Sequence, residues 1–214
     1  MPHIKTLIFD LDGTLLDTLG DITHSVNYTL NKLKLKPIET NLVRKYLGHG
    51  ATALWKKILD GQNKLVDDAL AIYLPYLEKH SKILTKPYPG IMDLLLKVKG
   101  KYRLALISNK HQKALEHVVE YYFKDIFDVV IGESPNFPKK PNPQSLLYVL
   151  SLFNQNRGDA LFIGDSEVDI NTAKNAKVDV IGVSWGFRDL EDILKEKPNY
   201  VVQNASEILK FIGE

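Results

Sequence analysis

Five short apolar runs, at residues 4–9, 103–107, 129–131, 160–163 and 180–183, with a weaker sixth at 200–202, are each bounded by turn residues. Runs of this kind read as β-strands buried on both faces. From residue 90 onward they alternate with segments of helical period at 91–99, 112–122, 144–153, 169–176 and 206–212. That alternation is the βαβ rhythm of a parallel sheet covered by helices. The expected fold class is therefore α/β, with a doubly wound, mostly parallel, Rossmann-like core.

Between Asp17 and Lys86 the pattern changes. No convincing strand occurs there; helical periodicity recurs at 22–35, 41–46, 53–59 and 66–83, broken at Pro37, at Gly48 to Gly50 and at Gly61. The expected organisation is a catalytic core of residues 1–16 and 87–214 interrupted by a helical cap, 17–86. Hinges near 16–18 and 85–89 would join them, with Pro87-Tyr88-Pro89-Gly90 marking the return.

Composition narrows the partners. Net charge is +2, and the basic residues, 24 Lys and 4 Arg, are scattered without a run. That pattern carries no electrostatic footprint for nucleic acid or a membrane. No apolar stretch approaches the ~20 residues that span a bilayer. Cysteine is absent, which excludes disulfides, zinc–thiolate sites and thiol catalysis and fits a reducing compartment. Met1-Pro2-His3-Ile4-Lys5 lacks the charged-then-apolar run of a signal peptide. The expectation is a cytoplasmic protein acting on a small molecule. Nothing in the sequence chooses between monomer and dimer.

In open α/β sheets ligands sit at the carboxyl ends of the strands, so the residues that follow each run carry the most information. The first run ends in Asp10 and Asp12, the second in Ser108 and Asn109; Lys140 follows the third, and Asp165-Ser166 with Asp169 follow the fourth. Each has a bland explanation alone. Asp12-Gly13 is a plausible turn, Ser166 with Asp169 a helix N-cap, and Lys140 one more solvated lysine. Their convergence on one end of one sheet is what those explanations leave out. An EF-hand fails, because Gly13 comes too early and a strand precedes it.

The set is chemically complete for phosphoryl transfer. Carboxylates sharing a pocket need a cation to offset their repulsion, and hard oxygen ligands suit Mg²⁺. Asp10 would attack phosphorus; Asp12, two residues on along an extended chain, would serve as general acid and base. Asp165 and Asp169 would hold the metal. Ser108, Asn109 and the N–H groups of the Gly13-Thr14 turn would ligate the phosphoryl oxygens, and Lys140 would supply positive charge. Phosphate-monoester hydrolysis needs acceleration by up to ~10²¹, nearly 30 kcal/mol, whereas one preorganised donor contributes about 3–4 kcal/mol, so several groups must share the work.

Asp10-Leu-Asp-Gly-Thr-Leu-Leu-Asp17, Ser108-Asn109, Lys140-Pro141 and Gly164-Asp165-Ser166-Glu-Val-Asp169 resemble, in order, the four motifs of the haloacid dehalogenase superfamily. The resemblance spans the whole chain, and the helical insert resembles that superfamily's cap placed after the first motif. It implies a Mg²⁺-dependent hydrolase with Asp10 as nucleophile, Asp12 as acid/base, Ser108 and Lys140 as phosphate ligands, and Asp10, Asp165 and the Asp12 carbonyl on the metal. Gly48-His49-Gly50 and Ser184-Trp185-Gly186 resemble the phosphoglycolate phosphatase branch, which implies 2-phosphoglycolate as leading substrate and Gly48, His49 and Gly50 as substrate-binding residues. Arg44, Lys45 or His49 could then pair with its carboxylate, while Lys110 could approach the phosphate or merely decorate a helix start. The superfamily's dehalogenases lack a carboxylate at the position of Asp12. Its sugar-phosphate mutases carry a histidine where this chain has Ile22, with His24 nearby. A mutase, an inorganic pyrophosphatase and a non-catalytic Mg²⁺- or phosphate-binding module are the alternatives.

Overall fold

A computed structural model describes residues 4–213, so Met1-Pro2-His3 lies outside the described residues. Six strands form one sheet in the order β5-β4-β1-β6-β7-β8, every neighbouring pair parallel. They are β1 (Thr6–Phe9), β4 (Arg103–His111), β5 (Val129–Glu133), β6 (Ala160–Gly164), β7 (Asp179–Val183) and β8 (Tyr200–Val202). β1 is central and fully buried, with Phe9 level with Leu106 of β4 and Ile163 of β6. That register brings the ends of β1 and β6 to one height beside the Leu106–Ser108 stretch of β4. Asp10, Ser108 and Asp165 therefore emerge side by side where the strand order reverses, the usual ligand crevice of such sheets.

Period-two alternation sends successive residues to opposite faces, and each face has its own core. Leu7, Phe9, Leu106 and Ile163 pack with Leu94 and Leu95 of α5 (Ile91–Val98), Leu115 and Val118 of α6 (Gln112–Tyr122) and the 3₁₀ segment Ala205–Phe211. On the opposite face Ile8, Ile107, Phe162 and Val180 meet α7 (Gln144–Leu152), α8 (Glu167–Ala176) and Ile193 of α9 (Leu190–Lys195).

The helices α1 (Leu19–Lys32), α2 (Thr40–Tyr46), α3 (Ala51–Ile58) and α4 (Val66–His80) share a third apolar cluster built on Val26, Leu30, Val43, Leu54, Trp55, Tyr73 and Leu77. Phe187, from the stretch after β7, joins it. No helix among the described residues is long and apolar enough to cross a membrane.

Four features depart from the sequence reading. Leu16–Asp17 (β2) and Lys86–Pro87 (β3) pair as a two-residue antiparallel ribbon, too short for periodicity to reveal. α4 stops at His80, short of residue 83. α9 lacks the strong apolar stripe that would announce it, with Ile193 its one buried residue. The last helix is 3₁₀ rather than α.

Asp21, in the first turn of α1, ties the outgoing chain to the return. Its buried carboxylate accepts the backbone N–H groups of Ile83, Leu84 and Thr85 at 3.0, 2.9 and 2.9 Å. Replacing it leaves three backbone N–H groups without their acceptor, that of Thr85 buried and those of Ile83 and Leu84 at exposed residues. Asp21→Ala is expected to cost about 1–3 kcal/mol in urea denaturation, the penalty of one buried donor left unsatisfied; a loss within about 0.5 kcal/mol, the ordinary scatter of surface substitutions, would show that this anchor is dispensable.

Candidate active site

At the carboxyl edge of the sheet the Lys140 ammonium lies between two carboxylates, 2.6 Å from Oδ1 of Asp10 and 2.6 Å from Oδ1 of Asp169. All three side chains are almost wholly buried. Asp165 completes the cluster: Asp10, Asp165 and Asp169 each offer an oxygen within 4.8 Å of the others. The remaining oxygen of Asp169 accepts both the N–H (3.1 Å) and the hydroxyl (2.6 Å) of Ser166. The helix-cap reading of that pair is thus correct and compatible with a site: one carboxylate caps α8 and holds Lys140.

Asp165 is held from three sides. Its Oδ2 accepts the Phe187 N–H at 2.6 Å, and two glycines make room for it. A Cβ at Gly13, where φ is +92°, or at Gly186 would overlap its carboxylate. Only glycine satisfies both the backbone and the space at residue 13.

Three buried carboxylates face one ammonium, and the excess charge shows. Burial pushes Asp10 well above the ordinary carboxylate range; Lys140 opposes this, while Asp169 and Asp165 add to it. Burial, reinforced by Asp169 and opposed by the Phe187 N–H, pushes Asp165 up to about 7. Burial works against the charge on Lys140, but Asp10 and Asp169 outweigh it and hold the ammonium firmly protonated. Such a cluster fits a hard divalent cation: its donors are all carboxylate oxygens, and one ammonium does not balance three of them.

Asp12 lives in a different environment. Its Oδ1 accepts the Thr18 hydroxyl at 2.7 Å and the Lys110 ammonium at 3.1 Å. The two carboxylates of the first motif, two residues apart, therefore have separate partners. Ser108 is buried at the same edge and accepts the Lys110 N–H at 3.2 Å.

Two groups expected on the phosphate have other partners in this structure. The Gly13 N–H donates to the Leu16 carbonyl and the Thr14 N–H to the Leu11 carbonyl, so both are spent inside the turn. Asn109 is equally occupied. Its amide donates to the carbonyls of Gly48 (2.9 Å) and Lys140 (3.0 Å), and its oxygen accepts the Lys140 N–H (2.8 Å). It positions the Lys140 loop and ties it to the Gly48 turn.

Above the carboxylates lies a cleft of about 80 Å³ whose far wall is apolar, formed by Ile22, Leu47, Leu54, Tyr73, Leu77 and Phe187. Gly48 and Gly50 line it, but His49 turns aside to Glu167 (3.3 Å). Arg44 reaches Asp189 at 2.9 Å, and Lys45 is exposed. His24 hydrogen-bonds the Tyr76 hydroxyl (3.0 Å) rather than facing the cleft. Trp185 is a packing residue with a tethered nitrogen, which donates to the Thr14 carbonyl at 3.0 Å.

Sequence reasoning set aside or missed three residues. Lys110 borders the cleft with its side chain 5% exposed; lying two residues beyond Ser108 on one strand was the available signal. Arg188 donates to both oxygens of Glu167 (2.7 and 3.1 Å) and to the Leu47 carbonyl (2.7 Å). No motif marks Arg188, and Glu167 lies inside the Gly164–Asp169 motif at a position that was given no role.

Comparison with known proteins agrees with this arrangement. Residues 7–183 match the family described as haloacid dehalogenase-like hydrolase. A phosphoglycolate phosphatase of Psychrobacter arcticus is 30% identical, across 97% of this chain and 95% of its own. Another, phosphoglycolate phosphatase 1 of Pseudomonas aeruginosa, is 32% identical, covering 96% of this chain and 78% of that one. A crystal structure provisionally named a phosphoglycolate phosphatase, from Lactobacillus delbrueckii subsp. bulgaricus, superposes with a TM-score of 0.92 at 30% identity over 100% of both chains.

The raised carboxylates fix the sign of two pH effects. A folded-state pKa above the unfolded one adds stability at low pH that is lost as pH rises through the folded value. Without metal, stability should therefore fall between about pH 4 and about pH 7, the interval bounded by the ordinary value and that of Asp165. A divalent cation competes with those protons. At hundredfold excess over Kd it should add about 2.7 kcal/mol, roughly 5–10 °C in Tm for a chain of this size, and the gain should be larger near pH 8 than near pH 5. Thermal scans with and without Mg²⁺ check this; a gain that shrinks with rising pH would contradict the assignment.

Proposed function

The chain belongs to the haloacid dehalogenase-like hydrolase family, and from that premise we propose that it is a Mg²⁺-dependent phosphatase working through an aspartyl phosphate on Asp10. The observation that carries this reading is the split between its two neighbouring carboxylates. Asp10 sits in the buried cluster with Lys140, and Asp12 stands outside it with Thr18 and Lys110. Paired carboxylates in contrasting environments take different roles.

In the proposed reaction the Asp10 carboxylate attacks phosphorus and the ester bond breaks. Asp12 gives a proton to the departing oxygen, then takes one from the water that hydrolyses the acyl phosphate. Lys140 holds Asp10 in line and offsets the charge developing on the phosphoryl oxygens, with the Ser108 hydroxyl as a further donor. Asp10, Asp165 and Asp169 would hold Mg²⁺, which supplies charge neutralisation at the transferring group.

We further propose that residues 17–86 act as a cap over a core of 1–16 and 87–214. The separate apolar cluster of α1–α4 supports this division. Closing such a cap excludes water from the acyl phosphate. The substrate is a small phosphorylated metabolite, with 2-phosphoglycolate the leading candidate on the strength of the relatives. Hydrolysis is favoured over a mutase reaction because Ile22 is apolar and His24 is engaged with Tyr76.

Asp10→Asn should lower Mg²⁺-dependent phosphate release ~10⁴-fold or more, the scale on which an essential nucleophile fails. Asp12→Asn should cost ~10²–10⁴ on alkyl phosphates and far less on p-nitrophenyl phosphate, whose leaving group needs no proton. Full turnover by Asp10→Asn, in a protein of unchanged melting temperature, would rule out the covalent route.

A further inference from the structure

We propose that Arg188 latches the cap shut, as a positioning residue that fixes the 47–50 strip over the carboxylate cluster. This rests on the phosphatase reading and on the division into cap and core. It gives a task to the Arg188–Glu167 pair, which that reading leaves without one.

Four core side chains meet one short stretch of the cap. Arg188, after β7, donates through Nη2 to the Leu47 carbonyl (2.7 Å) and through Nη1 to that of Arg44 (3.4 Å). Asp189 accepts Arg44 at 2.9 Å, Glu167 lies 3.3 Å from Nε2 of His49, and the Asn109 amide donates to the Gly48 carbonyl at 2.9 Å. The approach is close: at Gly48, where φ is +107°, a Cβ would lie 3.1 Å from Nη2 of Arg188. The core therefore holds the turn between α2 and α3, whose Leu47, Gly48 and Gly50 line the cleft.

Arg188 is the strongest of these holds. The last carbonyls of a helix lack partners within it and carry the negative end of its dipole. Arg44 and Leu47 present two such carbonyls at the end of α2, and one guanidinium reaches both. Glu167 presets that guanidinium by accepting Nε and Nη2 at 2.7 and 3.1 Å, a two-pronged geometry that a lysine cannot reproduce. The Arg188 side chain is 12% exposed, so solvent screens it little. Arg44–Asp189 and His49–Glu167 are far more exposed, and such pairs contribute little.

The same stretch reaches the carboxylate cluster. Gly186 leaves room for Asp165, and the Phe187 N–H donates to Asp165 while the Phe187 ring lies in the apolar cluster of α1–α4. Swinging the cap away about its hinges must break the Arg188 contacts and withdraw Phe187 from that cluster. Substrate entry and product release then require the latch to break, so its strength sets the balance between open and closed forms.

The chain has no cysteine, so a pair introduced at exposed positions, Lys56→Cys on α3 and Leu194→Cys on α9, carries spin labels at those sites alone. Pulsed electron resonance on the substrate-free protein should give one short distance while Arg188 is present. Arg188→Met should add a longer population. Arg188→Lys, which keeps the charge but loses the fork, should add less of it, and Glu167→Gln should shift the distances in the same direction. Kinetics supply a second readout, with 2-phosphoglycolate and saturating Mg²⁺. Arg188→Met should raise KM about ten- to a hundredfold, the scale of one charged hydrogen bond, because apparent affinity falls with the closed fraction; kcat should change far less, since saturating substrate restores the closed form. A merely structural role would lower kcat through loss of folded enzyme and leave KM and the distances alone, which would overturn the latch. Should Arg188→Met not fold, Glu167→Gln carries the same comparison. Unchanged distances in these variants, or a wild type already as open as they are, would overturn the latch and leave the phosphatase intact. Failure of the wild type to release phosphate from any ester would instead bring down the functional reading itself.

Discussion

The buried contact of the Lys140 ammonium with Asp10 and Asp169 is the interaction on which the rest of the site depends. Three carboxylates are brought together at the edge of a parallel sheet, where desolvation alone would drive them toward their neutral forms. Lys140 is the cation the chain itself supplies against that tendency, and it still leaves an excess of negative charge. Removing one member of a buried pair leaves its partner uncompensated. The surrounding structure accordingly spends much on holding Lys140 in place: Asn109 grips its backbone on both sides, and Asp169 is in turn fixed by Ser166 at the start of α8.

The sheet makes this cluster possible through register. Phe9 is level with both Leu106 and Ile163, so residues far apart in the chain come to one height. This much was legible from the sequence, because each strand is a short apolar run and the functional residues lie at the end of a run or in the loop after it. Asp10, Ser108, Lys140, Asp165 and Asp169 were found by that logic. The helical nature of the insert was equally plain, since a 3.6-residue period persists over whole helices.

What stayed hidden was how side chains spend their hydrogen bonds. Asn109 was expected on phosphate because it follows Ser108, yet its amide is consumed by Gly48 and Lys140. The Gly13 and Thr14 N–H groups were expected outward, yet the turn uses them internally. His49 and Arg44 were natural candidates for a substrate anion, but pairing with Glu167 and Asp189 takes them. Burial of Lys110 depends on what α1–α4 cover, which no local pattern encodes. The lesson is physical: strand periodicity assigns a residue to an end and a face, and competition among neighbouring donors and acceptors decides its work.

The covalent step on Asp10 is the central claim, and chemical trapping tests it most directly. An acyl phosphate is reduced by borohydride to an alcohol, which converts an aspartyl phosphate into homoserine. Borohydride added to enzyme turning over 2-phosphoglycolate with Mg²⁺, followed by peptide mass spectrometry, should find homoserine at residue 10 and intact aspartate at residue 12. Reduction at residue 12, or no reduction at either while phosphate is being released, would contradict the account.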